Sequence, residues 1–169
     1  MTTDSVERKL FETYRYSLVR ILGDKALYDT EIDAVGRKEF AAWAGVFPSD
    51  RVKLKPYHYY VINVDRHNQS GSHWLACYTS GKRAYIFDSY SRSIPKLVPH
   101  LVKSIRKQGF SLGKKNVVKN QEQRGWTSKV CGVLCLSWLL TVRDLGITKA
   151  KKIKINSSHF FAPPYTQTY

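Results

Sequence analysis

The stretch "SKVCGVLCLSWLLTVRDLG", residues Ser128–Gly146, sets a cysteine and a glycine directly ahead of a run that is apolar on nearly every side. A helix that is hydrophobic all round belongs in the middle of a domain, so the segment predicts a buried central helix against which the other elements pack. Gly146 ends it and Arg143 suits its last turn. At the other end Thr127 or Ser128 can serve as cap. With Ser128 as the cap, Cys131 falls at the third helical position, where unpaired N–H groups and the positive dipole end favour a thiolate. Gly132 beside it leaves room for a substrate backbone. Cys135, one turn further in, reads as core.

Upstream of this helix the chain changes period twice. Residues Ser5 to Leu22 carry Val6, Leu10, Phe11, Tyr14, Leu18 and Ile21 at close to helical spacing, with Ser5 or Asp4 as cap. "EIDAVGRKEFAAWAG" (31–45) suggests a second short helix, and "GVFPSDRVKLKP" (45–56) reads as a loop punctuated by Pro48 and Pro56. "YHYYVINVD" (57–65), "HWLACY" (73–78) and "RAYIFDSY" (83–90) are strand candidates. "SIPKLVPHLVKSIRKQG" (93–109) looks like one helix entered through prolines and ended by Gly109. The expected class is α+β: a central, mainly antiparallel sheet packed against a buried helix that carries the cysteine. One domain over residues 1–155 is expected, followed by an extended tail over 156–169 containing Pro163 and Pro164.

Composition narrows the partners. The chain has 169 residues, enough to bury about 70% of its unfolded surface. Its 28 Lys plus Arg against 13 Asp plus Glu give +15, with the acids gathered before residue 66. "KSIRKQG", "GKKNVVK" and "KAKKIK" crowd the second half, a lopsided positive field that attracts nucleic acid or an acidic surface. Three cysteines, Cys77, Cys131 and Cys135, make no disulfide framework, and none is spaced for zinc. No apolar run is long enough for a membrane span, so an intracellular protein without a metal is expected.

The two inner strands bring an acid to a base. If Ser80-Gly81 closes a two-residue hairpin, Thr79 faces Lys82 and His73 falls directly opposite Asp88 on the same face. A carboxylate there can accept the imidazole N–H and fix its tautomer. Together with Cys131 the pair makes a nucleophilic site: Cys131 attacks, His73 takes and returns the proton, and Asp88 orients the ring. The tetrahedral oxyanion then needs donors. The Cys131 backbone N–H is one, and "NQEQRGWTSKVC" (120–131) offers Gln121 and Gln123 for a second, with Gln123 preferred.

The order His, acid, Cys on a central helix resembles the adenain and Ulp1-like cysteine proteases. "HWLACY", "YIFDSY" and "QRGWTSKVCGVLC" match that family's His-Trp strand, acid-ending strand and Gln-loop-Cys-Gly helix start, over roughly Tyr57 to Leu145. The resemblance implies a peptidase with a Cys131, His73, Asp88 triad and Gln123 in the oxyanion hole, cleaving after glycine. It also implies that Trp74 covers a narrow channel admitting only a small residue before the scissile bond. The acid is Asp, as in the Ulp1-like enzymes. Size and basicity point to the compact viral maturation proteases, which process virion precursor proteins and use DNA as an activating polyanion. Three other readings compete. One is a Ulp1-like isopeptidase removing ubiquitin- or SUMO-like modifiers, and another is an acetyltransferase with the same residue order. The third is a non-enzymatic, basic nucleic-acid-binding module with Tyr57, Tyr59 and Tyr60 stacking on bases.

Overall fold

The computed structural model describes residues 5–117 and 130–153. The first element, α1 (Val6–Leu22), starts where its sequence says: the Ser5 side chain accepts the Arg8 backbone N–H at 3.2 Å. Then come α2 (Asp29–Glu39), β1 (Trp43–Pro48), β2 (Tyr59–Asn63), β3 (Trp74–Ser80) and β4 (Arg83–Phe87). The chain continues through α3 (Ile94–Leu97), α4 (Pro99–Lys107), β5 (Ser111–Leu112), α5 (Cys131–Leu145) and α6 (Ile147–Ala150). The expected single helix after Ser93 is thus two, broken at Val98–Pro99, because Pro99 has no N–H to continue the first and opens the second.

The sheet has the order β1-β2-β3-β4-β5. Its inner pairs β2–β3 and β3–β4 are antiparallel, but both edge strands join in parallel, so the sheet is mixed rather than mainly antiparallel. β1 occupies part of the stretch read as loop. Its Gly45 and Pro48 look like punctuation in a sequence, yet Pro is tolerated on an edge strand and Gly45, at φ +135°, sits where the register slips.

Both faces of the sheet are covered. Tyr60, Ile62, Leu75, Cys77, Ala84 and Ile86 turn to one side, against Leu101, Val102 and Ile105 of α4. Val61, Ala76, Tyr85 and Phe87 turn to the other, against α1 and α5. This explains why β2 reads as a continuous apolar run without polar alternation. α5 is buried from Cys131 through Val142, between α1 and β3, with Trp138 stacked on Phe87 at 5.5 Å between centroids.

α2 is fastened to the sheet through Gly36. A Cβ there would lie 2.0 Å from the Trp43 ring, whose Nε1 donates to Asp33 at 2.8 Å. The anchored indole has little freedom to withdraw. Gly36→Ala is therefore expected to cost about 1–3 kcal/mol, read as a lower urea midpoint with an unchanged m-value.

Candidate active site

Three of the expected site residues meet at one end of the sheet. His73 immediately precedes β3, Asp88 immediately follows β4, and the N-terminus of α5 brings Cys131 to the same place. The hairpin register is not the expected one: Ser80 pairs with Arg83 and Thr79 with Ala84, so the two loop residues are Gly81-Lys82. Gly81 takes φ +57°, as the first position of a II′ turn requires, and this places the loop one residue later. Extended along the same register, Asp88 falls opposite Leu75 and His73 lies one diagonal step away. A displacement of two residues leaves every side chain on its original face, and diagonal neighbours remain within reach of a long side chain. The His73 Nε2 to Asp88 Oδ1 distance is 2.7 Å.

Asp88 is completely buried and heavily bonded. Its Oδ1 also accepts the Tyr90 N–H at 3.2 Å and Arg92 Nη2 at 3.3 Å, while Oδ2 accepts Arg92 Nε at 2.9 Å and the Arg92 backbone N–H at 3.1 Å. Burial opposes its ionisation, but the bonds from His73 and Arg92 outweigh this and hold the carboxyl down to about 2. A depressed carboxyl stabilises the fold above its unfolded value near 4 and ceases to do so as the pH falls through its folded value. We expect Asp88 to contribute about 2 kcal/mol at neutral pH. That contribution should disappear between about pH 4 and pH 2, and be absent in Asp88→Asn, when denaturant unfolding is followed across that range.

Cys131 opens α5 at its first helical position, two residues earlier in the helix than Ser128 capping would give; Val130 is the N-cap residue and makes no side-chain cap bond. The positive end of the helix dipole still acts on Cys131, because its effect is felt throughout the first turn. Burial pushes the thiol up, yet His73 beside it and the backbone N–H groups of Trp74 and Gly132 outweigh burial and bring it below the ordinary thiol value. For His73 burial disfavours the imidazolium, and the bond to Asp88 and the neighbouring Cys131 outweigh it, so its value is raised. Both shifts favour a thiolate–imidazolium pair. The other two thiols behave oppositely: burial pushes Cys77 up to about 12, and Cys135, whose Sγ donates to the Trp74 carbonyl at 3.3 Å, is raised well above the ordinary value. Of the three, only Cys131 is prepared as a nucleophile.

Trp74 is half-buried beside His73, its Nε1 donating to the Leu27 carbonyl at 3.1 Å, and it walls a groove that is also lined by Leu27, Tyr28, Phe47, Arg92 and Cys131. Gly132 faces elsewhere. A Cβ on it would meet Leu27 and Ile32 at 3.2–3.3 Å, so its missing side chain lets α5 approach the start of α2, and it does not line the groove. The expected oxyanion donors Gln121 and Gln123, the caps Thr127 and Ser128, and the C-terminal tail lie outside the described residues.

The loop entering His73 is held from behind. Val64 N–H donates to the His73 carbonyl at 3.0 Å, Gly71 packs where a Cβ would strike the Asn63 amide, and Asp50 accepts the His67 backbone N–H at 2.8 Å as well as pairing with its ring. Sequence reasoning missed Arg92 and Tyr90, whose ring lies 5.2 Å from that of His73. The only signal was an Arg four residues after the acid in "DSYSR", a turn whose direction depends on Ser91 taking φ +56°.

Among the described residues no group of three or more His, Cys, Asp and Glu is placed to hold a metal ion, and no helix is long and apolar enough to cross a membrane. No family model matches the chain, and no curated protein matches it.

Proposed function

We propose that this chain is a cysteine endopeptidase of the adenain/Ulp1-like type that cleaves after glycine. The observation that carries the reading is the buried Asp88–His73 pair, 2.7 Å apart, on the same groove as Cys131, the one of the three thiols whose ionisation is favoured. In the reaction the Cys131 thiolate adds to the scissile carbonyl, and the oxyanion is met by N–H donors at the start of α5. His73 gives its proton to the leaving amine as the C–N bond breaks. It then takes a proton from water, which attacks the thioester and releases the acid and the thiol. Trp74 and Leu27 line the groove beside Cys131, where the resemblance implies a channel for a residue without a side chain.

The setting we propose is maturation of virion precursor proteins, with duplex DNA as activating polyanion. Exposed Lys103, Arg106 and Lys107 on α4 and Lys114 and Lys115 after β5 support this, on a chain of charge +15. The test is turnover of a fluorogenic peptide ending in Leu-x-Gly-Gly, at low salt, with and without duplex DNA. Turnover that DNA increases supports the whole reading. Cysteine-dependent turnover indifferent to DNA moves the substrate to modifier conjugates, the Ulp1-like alternative. DNA binding without turnover, unchanged by loss of Cys131, supports the binding module instead.

A further inference from the structure

We propose that Arg92 is a positioning residue of this site: a permanent countercharge that keeps the buried Asp88 carboxylate ionised and aimed while His73 gains and loses its proton. The proposal rests on the peptidase reading for its catalytic meaning, but its physical content is independent of turnover. In the cycle above His73 alternates between imidazolium and imidazole. Asp88, with none of its surface exposed, must remain an anion in both states. A carboxylate buried beside a neutral imidazole alone would be stranded, and such a group takes up a proton instead.

Arg92 removes that difficulty by geometry. Of the five N–H groups that the described residues place on the Asp88 oxygens, it supplies three: Nε, Nη2 and its own backbone N–H. Its fork engages both oxygens, leaving Oδ1 turned to His73. The guanidinium is in turn seated, with its carbon 4.9 Å from the Tyr90 ring centre and the Arg92 carbonyl accepting Asn116 Nδ2 at 3.1 Å. The other groups facing Asp88 carry no lasting positive charge. Among the described residues they are His73 ahead of β3, Tyr90 in the turn after β4, Asn116 beyond β5, and Cys135 from α5, which feels Asp88 through charge. Among the described residues around Asp88, Arg92 is the one cation whose charge does not change in the working pH range.

The measurement is the pH titration of the Asp88 side-chain carbon by NMR on the full chain labelled at aspartate, assigned with Asp88→Asn. It is run beside the pH dependence of Cys131 alkylation by iodoacetamide. For Arg92→Gln the Asp88 midpoint is expected to rise by about one pH unit or more. Alkylation should then weaken at acid pH, where the unaltered chain still reacts. Arg92→Lys keeps the charge, so its midpoint should stay near the original while its single ammonium, lacking the fork, lowers kcat more than it changes KM. An Asp88 midpoint unmoved in a folded Arg92→Gln, with only thermal stability reduced, overturns the proposal. Should Arg92→Gln not fold, Arg92→Lys decides: an unmoved midpoint supports a role for the charge, and a raised one overturns it. Neither readout needs cleavage, so failure of the peptidase reading shows separately, as intact alkylation and titration without peptide turnover.

Discussion

Cys131→Ser is expected to reduce hydrolysis of the glycine-ending peptide by at least about 10⁴-fold while leaving the fold intact. The loss is large because the hydroxyl is far less acidic than a thiol: the helix start and His73 favour ionisation of sulfur, and the same shift leaves an oxygen protonated. Stability should change by less than about 1 kcal/mol, since serine is close in size and His73 beside it can serve as a hydrogen-bond partner. Activity is read by peptide turnover and stability by denaturant unfolding of the same sample. Cys135→Ser and Cys77→Ser serve as comparisons, because both thiols are buried in the core and raised. They should lower stability with the turnover of folded protein little changed. Equal losses of turnover across all three variants would remove Cys131 from its special place.

The second large effect belongs to Asp88→Asn. Its amide preserves shape but removes the charge that His73 and Arg92 share, so the imidazolium loses its anchor and a donor now faces a donor at one of the two partners. We expect kcat/KM to fall by about 10²- to 10⁴-fold, with KM altered much less than kcat. Stability should fall by about 3 kcal/mol, the lower end for breaking a buried pair, since the Arg92 side chain is 40% exposed and can turn to water. The same substitution combined with Arg92→Gln should cost less than the two losses added, as neighbours in one network do. Additive losses would mean that the two residues act separately.

Much of this arrangement is legible in one dimension, for reasons that differ by element. α1 declares its start because a cap is local: Ser5 reaches the Arg8 backbone amide three residues on. β3 and β4 are readable as a hairpin because their connection is short, and the error in loop position did no harm to the chemistry. It displaced the pairing by two, which preserves faces, whereas a displacement of one would have put His73 and Asp88 on opposite sides. β1 was not readable. Its partner among the described residues, β2, pairs in parallel across an intervening loop, and nothing local in "WAGVFP" says that another strand is waiting for it.

The sequence by itself determined the candidate nucleophile, its base and its acid, together with the apolar central helix that makes a thiol at its start unusual. These are properties of residue type, order and short-range spacing. The tertiary structure decided what surrounds them: helices on both sheet faces, parallel edge strands, Gly132 turned to Leu27 and Ile32 rather than to the groove, and Arg92 folded back onto Asp88. Each depends on contacts between segments, or on a turn whose direction follows from one positive φ at Ser91, and on which partner is left to satisfy a buried charge. Desolvation is felt only once the chain has closed around the carboxylate, so the need for a permanent cation beside Asp88 arises in the folded protein and leaves no pattern in the string of residues.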